Sequence, residues 1–148
     1  MKLLGEGLGV REEAYNVYRT NNGGVDFLGL VPYHEVPRIL KNVDLVIHPS
    51  LEESFGMAVA EALASRTPVI GGKTSGAVPW VLNGGKAGLL VDVRDPKKIA
   101  QSAVRLLRDR KLWNRLSDDG YAHAVRSFSL PEVSNAYLRV YEKVRDAI

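Results

Sequence analysis

Short apolar runs separated by longer stretches of helical periodicity leave few folds open to this chain. Strands read at Lys2 to Leu4, Val25 to Leu28, Leu45 to His48, Pro68 to Ile70 and Gly88 to Val91, each as brief as buried parallel strands tend to be. Helices read between them at Glu12 to Thr20, Glu35 to Leu40, Phe55 to Ser65 and Val78 to Leu82, with Pro37 forcing a late or irregular start on the second. Strand followed by helix, repeated, predicts an α/β chain: a Rossmann-like parallel sheet with flanking helices. After Asp95-Pro96 only helices follow, at Pro96 to Arg108, Lys111 to Arg126 and Pro131 to Ala147, and these are expected to pack on the sheet rather than extend it. No linker, internal repeat or low-complexity segment interrupts the pattern, so residues 1–148 are read as one domain.

Composition narrows the function classes. No apolar run reaches the roughly 18 residues that a membrane-spanning helix needs, and the N-terminus has no signal-peptide pattern, so a cytoplasmic protein without an integral membrane segment is expected. With no cysteine, and with His34, His48 and His123 scattered, neither a disulfide nor a structural metal is expected. The net charge of +3 is mild, and Lys97, Lys98, Arg105, Arg108 and Arg110 read as the wet face of a helix; no nucleic-acid partner is expected.

The stretch Glu52-Glu53-Ser54-Phe55-Gly56-Met57-Ala58 carries the most chemistry. It follows a strand, so it stands at the carboxyl edge of the sheet, where open α/β sheets bind ligands. Ser54 reads as the N-cap of the next helix, whose free N–H groups suit a phosphate, and Gly56 allows close approach of a ligand. Glu61 is placed seven residues beyond Ser54, about 10 Å along the axis, roughly the span of a diphosphate with a sugar at each end. One arrangement uses both acids: a diphosphate at the amides of Gly56, Met57 and Ala58, ribose hydroxyls on Glu61, and a transferable sugar on Glu53. The plainer reading makes both glutamates surface charges. Against it, Glu61 sits in a helix that reads as apolar all round and therefore buried, where a lone carboxylate is costly.

Glu53-Ser54-Phe55-Gly56, followed by Glu61-Ala62-Leu63-Ala64 and Thr67-Pro68-Val69-Ile70, resembles the E-x7-E signature of the retaining group 1 glycosyltransferases of the GT-B fold. The segments "VDFLGLVPYHEVPRILKNVDLVIHPSLEESFG" and "GLLVDVRDPKKIAQSAVRLLRD" resemble the family's elements on either side, so the likeness spans nearly the whole chain. Gly5-x-Gly7-x-Gly9 alone would be weak evidence. The resemblance implies the C-terminal half of a GT-B fold, which holds a nucleoside-diphosphate sugar and needs no metal or other cofactor. Carried over, it implies that Glu53 contacts the donor sugar, that Phe55, Gly56 and Met57 supply backbone groups near sugar and phosphates, that Glu61 binds ribose, and that Leu30-Val31-Pro32 lies against the base.

Three departures accompany it. Gly76-Ala77-Val78-Pro79-Trp80 stands where the family often has Gly-Gly-x-Pro-Glu, so Trp80 replaces an acid; both tryptophans, Trp80 and Trp113, are expected to pack, and an exposed Trp80 would favour stacking on a sugar. The family's first strand of this domain, with its diphosphate-binding basic residue, has no counterpart read in the sequence; Lys73 is the best internal substitute for that cation, with a solvated loop lysine as the plainer reading. No segment of these 148 residues reads as an acceptor-binding N-terminal domain, so that domain is expected to come from elsewhere. The expected partners are therefore a nucleotide sugar and an N-terminal domain or subunit, with a homo-oligomer as one way to cover exposed sheet edges. The expected activity is that of a hexosyltransferase-type domain incomplete on its own, peripheral to a membrane in a complete enzyme if associated with one at all. The alternative is a non-catalytic nucleotide-binding or interaction module of the same fold.

Overall fold

Val69 and Ile70 have no accessible surface, and the strand that contains them organises the described core. The computed structural model describes residues 2–3 and 26–147. The helix expected at Glu12 to Thr20 and the Gly5-x-Gly7-x-Gly9 segment lie outside them. The chain divides into two compact units, residues 1–38 and 39–148.

In the first unit, β1 (Lys2–Leu3) and β2 (Asp26–Phe27) pair in parallel. Pro37 has the expected effect: a 3-10 turn at Tyr33–Glu35 comes first, and only then α1 (Val36–Leu40).

In the second unit β3 (Val46–His48), β4 (Val69–Gly72) and β5 (Leu89–Val91) form a parallel sheet in the order β3-β4-β5. All four residues of β4 are buried, as its central place in that sheet requires. Helix α2 (Met57–Ala64) crosses from β3 to β4, and α3 (Val78–Val81), continued by a 3-10 turn at Asn83–Gly85, packs against β4. Right after β5, the Asp95 carboxylate accepts N–H bonds from Lys97 and Lys98 at 3.0 and 3.3 Å and starts α4 (Pro96–Arg108). These bonds hold the Asp95 carboxyl below the usual carboxylate range, the Lys98 amide foremost. Asp109 likewise caps α5 (Arg110–Phe128), and Ser129 begins α6 (Leu130–Arg145).

Ile70 forms one cluster with Leu106 of α4 and with Leu112 and Leu116 of α5, so those two helices cover the sheet as expected. Helix α6 does not. It follows α5 away from the strands, and every one of its residues is exposed, including Leu130, Tyr137, Leu138 and Tyr141. Packing on the sheet is expected of all three C-terminal helices, but the strands' cover is already supplied by α4 and α5. The Lys97, Lys98, Arg105, Arg108 and Arg110 residues are all exposed, a solvated face. No helix among the described residues is long and apolar enough to cross a membrane.

Candidate functional site at the carboxyl edge of the sheet

Because β3, β4 and β5 are parallel, His48, Gly72 and Val91 end at one edge, and the loops that leave them are neighbours. Hydrogen bonds knit the first two loops together. The Ser75 hydroxyl, fully buried, donates to the Ser50 carbonyl at 2.5 Å, and the Ala77 N–H donates to the Glu53 carbonyl at 3.0 Å. Gly76 lies between these donors with φ +51°, and a Cβ there would collide with the Glu53 carbonyl oxygen. Only glycine lets the loops approach so closely.

The Glu53 side chain is held as firmly as its backbone. Its Oε2 is 3.2 Å from His48 Nε2, with side-chain exposures of 28% and 17% for the two residues. His48, at the end of its strand, is thus paired with a carboxylate side chain. Periodicity says nothing of that pairing, because the loop from Pro49 to Glu52 must fold back before the two meet.

Two expectations change at α2. Ser54 is exposed and caps nothing; the N-cap is Gly56, at φ 92° and ψ 55°. A left-handed residue cannot continue a right-handed helix backwards, so α2 begins at Met57 rather than Phe55. Nor is the helix buried all round. Val59, Ala60, Ala62 and Leu63 face the core, while Met57, Ala58 and Ala64 are exposed and Glu61 is half-buried beside them. Glu61 thus sits on an open face of small residues and methionine. One turn separates it from Met57, about 6 Å, less than the separation read from Ser54. Among the described residues it has no hydrogen-bond or ion-pair partner, and no acceptor takes the N–H of Met57 or Ala58, whereas Val59 and Ala60 already donate to Gly56 at 2.9 and 3.1 Å. Two helix-terminal donors and a carboxylate therefore stand open along one face.

Lys73 follows β4 at the same edge. Its N–H continues the strand ladder to the Val91 carbonyl at 2.8 Å, and its side chain is exposed. Leu30 and Val31 lie in the first unit ahead of the Tyr33–Glu35 turn, with Leu30 82% exposed. Trp113 packs as expected, donating from Nε1 to the Asp44 carbonyl at 2.6 Å with the Arg110 guanidinium over its ring. Trp80 is packed on one side only: 62% of it is exposed.

A cleft of about 380 Å³ lies elsewhere, lined by Lys41, Arg66, Thr67, Trp113, Asn114 and Asp118. Thr67 and Val43 precede β4 and β3, so this cleft belongs to the amino ends of the strands, and Arg66 within it is already paired with Asp118 at 2.6 Å. Open α/β sheets bind at the other edge, and the unpartnered groups are there. No three His, Asp or Glu side chains among the described residues come together to hold a metal.

The profile of a family described as "Glycosyl transferases group 1" matches residues 4–123. D-inositol 3-phosphate glycosyltransferase of Corynebacterium jeikeium is 36% identical over 123 residues, covering 83% of this chain and 29% of that protein. Among solved structures, Anabaena HepE in complex with UDP and glucose superposes with a TM-score of 0.81 at 21% identity, over 96% of this chain and 40% of that one. The C-terminal domain of a glycosyl transferase group 1 family protein, LpcC of Francisella tularensis, gives 0.68 at 27% identity, over 80% and 60%. The chain thus spans less than a third of the corynebacterial relative and two-fifths of the HepE chain.

Proposed function

The chain belongs to the group 1 glycosyl transferases, with the C-terminal domain architecture of the GT-B fold, and we propose that it binds the nucleoside-diphosphate sugar donor for a retaining glycosyl transfer. The observation that carries this reading is the open row on α2: free N–H groups at Met57 and Ala58, then Glu61 one turn on, beside the anchored Glu53. The likeness to a structure that holds UDP and glucose supports it.

In this arrangement the diphosphate lies at Gly56, Met57 and Ala58, where the helix end favours negative charge. Glu61 accepts from ribose hydroxyls. Glu53 accepts from hydroxyls of the transferable sugar, its carboxylate kept in place by His48. In the reaction the anomeric C–O bond to the β-phosphate breaks while the bond to the acceptor oxygen forms on the same face, and the acceptor's proton leaves with the diphosphate. Amides already aimed at the leaving oxygens stabilise the charge that develops there, and Lys73 adds a cation. The acceptor would be held by a second domain of the kind that makes up the remaining length of the relatives, and the chain alone would transfer poorly.

Amide chemical shifts test the placement. On adding UDP, GDP or ADP, the signals of Met57 and Ala58 should move most, with those of Glu53 and Glu61 following. Shifts centred on Arg66, Trp113 and Asp118 would put the ligand in the cleft at the other edge and sink the reading.

A further inference from the structure

Trp80 stands apart from its apolar neighbours. Val78, Val81 and Leu82 have no exposed surface, whereas Trp80 turns 62% of its own to solvent. Exposed apolar side chains are common on protein surfaces, but this one is held in place. Its ring meets Phe55 at 5.9 Å and 62° and Phe128 at 5.4 Å and 61°, edge-to-face contacts of the favourable kind. Phe55 and Phe128 meet each other at 5.5 Å and 85°, and His123 braces Phe128 at 5.3 Å and 82°. The indole therefore rests on an aromatic seat and keeps an open face.

That seat is part of the candidate site. Phe55 lies between Glu53 and Gly56 in the turn before α2, and the residue ahead of α3, Ala77, donates its N–H to the Glu53 carbonyl. Trp80 comes one helical turn after Ala77 and shares its side of α3. An open aromatic face at the rim of a sugar site suits a pyranose: one face of the ring presents C–H bonds with slight positive charge to the negative π face, while the hydroxyls at its edge stay free for carboxylates. We infer that Trp80 is a stacking platform for a pyranose ring, adding apolar recognition to the hydrogen bonds of Glu53. This rests on the donor-site reading above. The donor's sugar and an acceptor glycoside present the same C–H face, and either can supply the ring.

The sequence has two tryptophans, so Trp113→Phe leaves Trp80 as the sole indole emitter. This variant, its fold checked by circular dichroism, is titrated with UDP, GDP, ADP, their glucose conjugates and methyl glucoside. The sugar that stacks should change Trp80 emission where the bare nucleotide does not. In the otherwise unaltered chain, Trp80→Ala should weaken that ligand about five- to tenfold with nucleotide affinity unchanged, and Trp80→Phe should recover part of the loss. A response to a glucose conjugate alone assigns the ring to the donor; a response to methyl glucoside assigns it to the acceptor. If nucleotides bind but no sugar alters the emission and Trp80→Ala costs nothing, the stacking role is overturned and the donor site stands. If no nucleotide or conjugate binds at all, the donor-site reading falls and the inference with it.

Discussion

A methyl group at position 76 would collide with the carbonyl oxygen of Glu53, and the left-handed φ there adds strain for any side chain. Gly76→Ala should therefore destabilise the chain by about 1–3 kcal/mol, read as a lower melting temperature, and should weaken nucleotide-sugar binding through the displaced Glu53. Glu61→Ala should behave oppositely. The residue is half-buried and unpartnered among the described residues, so its melting temperature should hardly move, while loss of hydrogen bonds to a charged acceptor should weaken the nucleotide by about 1.5–3 kcal/mol, roughly ten- to a hundredfold. At this scale the spacing of Glu53 and Glu61 was legible in the sequence, but the cap was not. Ser54 is a better cap by residue preference than Gly56; the turn's left-handed geometry, which depends on the loop after β4, decided otherwise. The His48–Glu53 contact and the exposure of Trp80 were hidden for the same reason, being made by loops that meet only in the fold.

Helix α2 is held by one face and offers the other. Leu63, almost wholly buried, lies on the face toward α5, where it crowds Gly120. Leu63→Ala should cost about 2–5 kcal/mol by denaturant unfolding and leave nucleotide affinity nearly unchanged wherever the chain stays folded, because the open face is not altered. Helix α5 carries a pH response. Burial, then the charge of Arg126, holds the His123 pKa below its ordinary 6.5, against an opposing backbone contact with Val81. As pH falls through about 6.5 the unfolded chain takes up the proton first, so stability present above that pH is lost on the way down to the folded pKa and falls no further below it. The melting temperature should fall as pH drops below about 6.5, and fall less in His123→Phe. Element types and most boundaries were legible because periodicity and the caps at Asp95 and Asp109 agree with the packing. The cover of α6 was not, since an apolar stripe shows that a face is suited to packing without saying against what.

The parallel pairing of β3, β4 and β5, with helices between the strands, was visible as alternation along the chain, because each buried strand must be short and each crossover helical, whereas their order in the sheet was not. The family followed from residues at the carboxyl edge, and the profile match over residues 4–123 agrees with it. Nucleobase, sugar and acceptor left no mark that could be read, since backbone groups serve many bases alike. The central claim is that the edge formed by Glu53, the start of α2 and Glu61 takes a nucleoside diphosphate. Calorimetric titration of the 148-residue chain with UDP, GDP and ADP, beside Glu61→Ala, tests it most directly. One nucleotide should bind, and the variant should weaken it at least about tenfold, a difference of some 1.4 kcal/mol. Absence of binding for all three at concentrations on the order of 1 mM, or an affinity untouched by Glu61→Ala, would contradict it.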